Sequence, residues 1–130
     1  MSRVAVFEIE REGETIIVTP TVDLREFEFV EANVNDVLEG LSDLSIKNLV
    51  MDFQRTDYFE SSAFALFVKL WKTVAVRNGC MALCNLSKHE HEILSVTKFD
   101  MLWRICESRA EAMKVVEGII APLALSSNPS

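Results

Sequence analysis

A chain of 130 residues, 49% hydrophobic and 25% charged, has the size and composition of one compact domain. Its net charge of −7 argues against nucleic acid or an anionic membrane surface as the main partner. No apolar run approaches the ~20 residues that cross a bilayer, so membrane insertion is not expected.

In chain order, Val4 to Glu10 alternates between apolar and other residues and reads as a first strand. Arg11-Glu-Gly13-Glu14 is a turn, and the β-branched run Thr15-Ile-Ile-Val-Thr19 predicts a second strand paired as a hairpin. Pro20 ends it, having no N–H for a ladder. Asp23, with Glu26 three residues on, reads as the N-cap and capping-box partner of a first helix. Leu24, Phe27, Val30, Val34, Val37, Leu38 and Leu41 supply its three- and four-residue spacing, and Gly40 closes it.

A third strand is expected from about Ile46 to Phe53, followed by the polar loop Gln54 to Asp57. After Glu60-Ser61-Ser62 the chain becomes apolar with helical spacing to about Arg77, interrupted by Lys69 and Lys72. Asn78-Gly79 stops this helix, with Gly79 expected in the left-handed conformation. Cys80 to Leu86 is nearly all apolar, as a strand buried on both faces would be. Ser87 caps a third helix carrying Ile93, Leu94 and Val96. Met101 to Cys106 gives a fifth strand, and Ser108 opens a last helix through Ala112, Met113, Val116 and Ile119. The order ββαβαβαβα implies an α/β domain over residues 1–120, with a mixed, mostly parallel five-stranded sheet and about four helices. Residues 121–130 are expected to be a flexible tail.

Few residues carry a signature of catalysis. His89 and His91, two apart on a helix, point to different faces, unlike the pair four apart of a zinc site. Cys80 and Cys84 face one side of a strand and lack CxxC spacing; with Cys106 they read as reduced core thiols. The four glycines are scattered, so no phosphate loop is present, and no Gly-x-Ser-x-Gly elbow surrounds the serines. Asp52, Asp57 and Glu60 suggest magnesium only weakly, because one loop supplies all three. No cofactor or metal is expected. The serine pair keeps two readings: a helix cap, or a hydroxyl placed where a phosphate could be carried.

These features together resemble the STAS domain, the family of bacterial anti-sigma factor antagonists and of the cytoplasmic domains of sulfate transporters. The family's strand ending in aspartate is similar to Val50-Met-Asp52, and its Asp-Ser-Ser-Gly helix start to Glu60-Ser-Ser-Ala63 after Tyr58-Phe59. Leu94-Ser-Val-Thr-Lys-Phe-Asp-Met-Leu-Trp103 and Val22-Asp23 match further patterns, while Glu60, Ala63 and Pro20 depart from them.

The resemblance implies a non-enzymatic, phosphorylation-switched regulator that binds an anti-sigma factor, itself a serine protein kinase, and so frees a sigma factor. It implies Ser61 as the phosphoacceptor and Asp23 within the partner-binding surface, with Asp57, Glu60, Ser62 and Phe64 around it. The protein would act in the cytoplasm without touching nucleic acid directly, and a homodimer is left open. The alternative is an unphosphorylated STAS interaction module of a larger signalling or lipid-transport assembly. The first ten residues contain no continuous apolar segment, so a signal peptide is not expected.

Overall fold

The computed structural model describes residues 6–25 and 31–118. The chain builds β1 (Phe7–Glu12), β2 (Thr15–Pro20), α1 (Glu31–Gly40), β3 (Asn48–Asp52), α2 (Ala63–Ala75), β4 (Met81–Cys84), α3 (Lys88–Thr97), β5 (Arg104–Cys106) and α4 (Arg109–Val116). The expected order ββαβαβαβα is the observed one. Glu26 of the expected first capping box, Ile119 and the expected tail lie outside the described residues.

The five strands follow one another in space as in sequence, β1 to β5; β1 and β2 pair antiparallel and the rest parallel. Gly13, with φ 63°, turns the hairpin in two residues, its register running from Glu12 opposite Thr15 to Phe7 opposite Pro20. Every residue of β2, β3 and β4 is buried, as parallel strands covered on both faces must be.

Because the strand order never reverses, right-handed crossovers put α1, α2 and α3 on one face. There Val37, Leu41, Leu66, Phe67, Leu70 and Leu94 pack on Val18, Leu49, Met51 and Leu83. On the other face α4 brings Ala112, Met113, Val115 and Val116 against Ile17, Val50, Ala82, Cys84 and Cys106. A sheet without a reversal also lacks the crevice in which doubly wound sheets bind small ligands.

Several local expectations change. Leu24, expected within the first helical turn, instead bridges Phe59 in parallel. The left-handed residue after α2 is Asn78 (φ 62°), not Gly79. Gly79 is required for another reason: a Cβ there would stand 1.5 Å from the Lys47 carbonyl oxygen. β5 is shorter than expected, since Phe99–Met101 form a 3₁₀ turn that packs the Phe99 ring between Phe64 and Trp103. Cys80 precedes β4 and is exposed, so only Cys84 and Cys106 are core thiols. Burial, with Asp52 beside it, pushes the Cys84 thiol up to about 12.

Candidate functional site

Three loops meet at the C-terminal end of β3. The Leu24–Phe59 bridge and a hydrogen bond from the Glu60 N–H to the Leu24 carbonyl (2.9 Å) lay residues 23–25 beside 57–60. The Asp57 N–H donates to Asp23 Oδ1 at 3.0 Å. Arg25 flanks this contact, its guanidinium 5.5 Å above the Tyr58 ring and 3.8 Å from the Asp23 carboxylate. Asp23, 34 residues before Asp57, thus joins Asp57 and Glu60 in one acidic rim.

Ser61 and Ser62 follow directly and both are exposed. The expected serine cap does not form. Ser62 occupies the N-cap with helical angles (φ −59°, ψ −23°) and makes no side-chain cap hydrogen bond. A capping hydroxyl needs extended backbone, to reach over the first turn. Here the turn is closed by main chain instead: Ala63 N–H donates to Glu60 O at 2.8 Å and Phe64 N–H to Ser61 O at 3.0 Å. Both serines are left exposed at the positive end of α2.

Phe64, expected at the contact surface, lies in the core at 6% exposure. Its ring stacks on Phe99 (centroids 4.4 Å apart) and meets Phe59 and Phe67 edge-on. The aromatic cluster packs against the first turn of α2, which the serine pair opens.

Asp52 does not join Asp57 and Glu60. Alternation along β3 turns it to the α4 face, fully buried. It accepts hydrogen bonds from Arg109 Nε (2.8 Å), Asn85 Nδ2 (2.9 Å), Gln54 N (3.0 Å) and Gln54 Nε2 (3.1 Å). Arg109 also reaches Glu10 and Thr19, both at 3.2 Å, and ties α4 to the hairpin. Among the described residues no three His, Cys, Asp or Glu side chains are grouped to hold a metal. His89 and His91 are exposed on α3. A groove of about 450 Å³ lined by Thr15, Lys47, Asn48, Asn78 and Glu117 opens at the starts of β2 and β3, the opposite end of the sheet.

Ser87 caps α3 as expected, but sequence reasoning missed Glu90, Thr56 and their hold on the loop. Glu90 is fully buried in the first turn of that helix; its Oε1 accepts the Ser87 N–H at 2.8 Å and its Oε2 the Thr56 hydroxyl at 2.5 Å. The Ser87 hydroxyl donates to the Asp57 carbonyl at 2.6 Å. Burial raises the Glu90 pKa, against the opposing effect of the hydrogen bonds from Ser87 and Thr56. The Ser-x-x-Glu spacing of Ser87 and Glu90 was a readable signal for the cap, whereas nothing in the sequence marks Thr56.

The family model of the STAS domain matches residues 7–112. No curated protein sequence matches the chain. Among solved structures, an anti-sigma-factor antagonist (STAS) domain protein from Planctomyces limnophilus is 26% identical, with a TM-score of 0.75 over 93% of this chain and 98% of that one. An anti-sigma factor antagonist from Mycobacterium paratuberculosis is 12% identical, with a TM-score of 0.75 over 85% and 92%. The Bacillus cell fate determinant SpoIIAA in its phosphorylated form is 17% identical, with a TM-score of 0.65 over 83% and 96%. The chain belongs to the STAS domain family, and its fold is that of the anti-sigma factor antagonists.

Proposed function

We propose that this STAS domain is an anti-sigma factor antagonist switched by phosphorylation of Ser61. Its partner is an anti-sigma factor that is also a serine protein kinase, and capturing that partner frees a sigma factor. The protein acts by binding rather than catalysis, in the cytoplasm, and no helix among the described residues is long and apolar enough to cross a membrane.

One observation carries the reading: an exposed serine pair, with Ser62 making no side-chain cap, set beside Asp23 and Asp57. That a relative of this fold is known in a phosphorylated form accords with it. A phosphate on Ser61 would add roughly −1.5 to −2 charges beside an acidic rim. A partner seated on that rim meets the bulk of the phosphate and its repulsion of any acidic group the partner brings there, while the helix dipole lets the domain itself tolerate the phosphate. The contact surface is then Asp23, Asp57, Glu60 and Ser62, with Phe64 shaping it from beneath.

Incubation with the cognate kinase and ATP, followed by intact mass, tests the site. Wild type should gain one phosphate, and Ser61→Ala none while still binding the partner. Phosphate that persists on Ser61→Ala moves the site elsewhere.

A second reading is a constitutive interaction module, favoured by the departures Glu60 and Ala63 from the Asp-Ser-Ser-Gly pattern. Ala63 is fully buried, which makes this helix start more tightly packed than a glycine would. A pull-down in which Ser61→Asp leaves the partner bound would establish it, and self-association in the same assay would identify a homodimer.

A further inference from the structure

We propose that Glu90 is the positioning residue of the serine loop: from the first turn of α3 it holds Thr56, and with Ser87 it fixes the backbone that leads from Asp57 to Ser61. The inference rests on the reading of Ser61 as a phosphoacceptor.

A capping box needs only its own helix. Ser87 accepts the Glu90 N–H at 3.1 Å, Glu90 accepts the Ser87 N–H, and the first turn of α3 is satisfied. Both members of this box do more. The second oxygen of Glu90 reaches Thr56, 34 residues back, and the Ser87 hydroxyl reaches the Asp57 carbonyl, 30 residues back. The N–H of Asp57 is meanwhile held by Asp23, so that residue is gripped at both its amide and its carbonyl. Thr56 is itself buried and its N–H donates to the Phe53 carbonyl at 3.0 Å, which anchors the grip to the end of β3.

A fully buried carboxyl is a costly group to place where an apolar side chain could sit. Its geometry also shows how the cost is offset. The Thr56 hydroxyl has one proton and faces two acceptors, Glu90 Oε2 and, at 3.3 Å, the Phe53 carbonyl. A proton on Glu90 would satisfy both, running from Glu90 to Thr56 and on to Phe53. In this form the box is a clamp between helix and loop, with water kept out.

Two variants separate the clamp from the cap. Thr56→Val keeps the capping box and the Ser87–Asp57 contact and removes only the Glu90 link to the loop; Glu90→Gln keeps hydrogen-bonding groups at both ends and should act as the rescue of Glu90→Ala. Amide hydrogen exchange at Asp57 and Glu60 should quicken by about tenfold or more in Thr56→Val and Glu90→Ala, and return towards wild type in Glu90→Gln. The Leu49 amide, bonded to the Cys80 carbonyl within the sheet, serves as the control and should not follow. Unchanged exchange at Asp57 in Thr56→Val, or an equal change at Leu49, overturns the clamp.

The same variants are then given to the cognate kinase with ATP. A misplaced hydroxyl lowers kcat for Ser61 more than it raises KM, and an unchanged kcat on a loosened loop overturns the positioning role. Wild type that takes no phosphate on Ser61 defeats the phosphorylation reading, and with it positioning for phosphoryl transfer, while the exchange rates still decide the clamp.

Discussion

Asp52 and Glu90 are both carboxyl groups without solvent contact, and the fold treats them differently. Asp52 receives four hydrogen bonds, one from the Arg109 guanidinium, whereas Glu90 has only neutral donors about it. Arg109→Met should therefore strand a buried carboxylate and cost about 2–3 kcal/mol, less than a fully buried pair because Arg109 is partly solvated. Urea unfolding measures it, and Asp52→Asn in the same chain should recover part of the loss. Ser62→Ala should stay within about 0.5 kcal/mol, since its hydroxyl caps nothing. Ser87→Ala should cost about 1–2 kcal/mol, because it removes a cap and orphans the Asp57 carbonyl. Equal losses for the two serines would contradict the capping assignment. Both serines precede a helical pattern, but only Ser87 has a glutamate three residues on, the capping-box spacing that the Ser61-Ser62 pair lacks. The backbone angles agree with that difference, extended at Ser87 and helical at Ser62.

Helices and strands were legible because their burial is periodic or continuous: α2 shows its apolar face, and β3 and β4 their unbroken runs. Element ends were less so. The segment from Met101 to Cys106 has the apolar content of a strand, yet its first part coils so that Phe99 and Trp103 can stack, a tertiary demand. At the end of α2 the left-handed turn was expected at Gly79 and falls one residue earlier. Asn78 takes the left-handed turn and Gly79 passes against the Lys47 backbone. Gly79→Ala should thus cost about 3 kcal/mol in thermal or urea unfolding, because backbone has to move to admit the methyl group. Asn78→Gly, which only frees the turn, should cost less than about 1 kcal/mol. The reverse ranking would restore the conventional reading of the pair. The resemblance named Ser61, Asp23, Asp57 and Glu60, and the structure brings the Asp23 segment beside Asp57 and Glu60. Thr56 and Glu90 were not legible, since their partnership spans 34 residues and arises only when α3 packs on the loop.

At the scale of the whole molecule, the buried Glu90 should leave a mark on stability as a function of pH. Unfolded, its carboxyl ionises near the ordinary value of 4.5; folded, burial raises that value, and the Asp23 carboxylate raises it further. Between the two values the native state holds a proton that the unfolded chain has released. Stability from this group is therefore full below about 4.5 and falls as pH rises through the folded value, by at most about 1.4 kcal/mol per pH unit. Asp43 has the opposite sign. The Ser45 hydroxyl and N–H, with Arg11, lower it from 3.8 to about 2, so its contribution is lost only as pH falls through that range. Urea unfolding between pH 4.5 and 8 lies above the Asp43 window and isolates Glu90. Glu90→Gln cannot titrate, so the stability of wild type relative to this variant should decline with rising pH and then level off. A difference that stays flat across the range would show that folding leaves the Glu90 proton affinity unchanged.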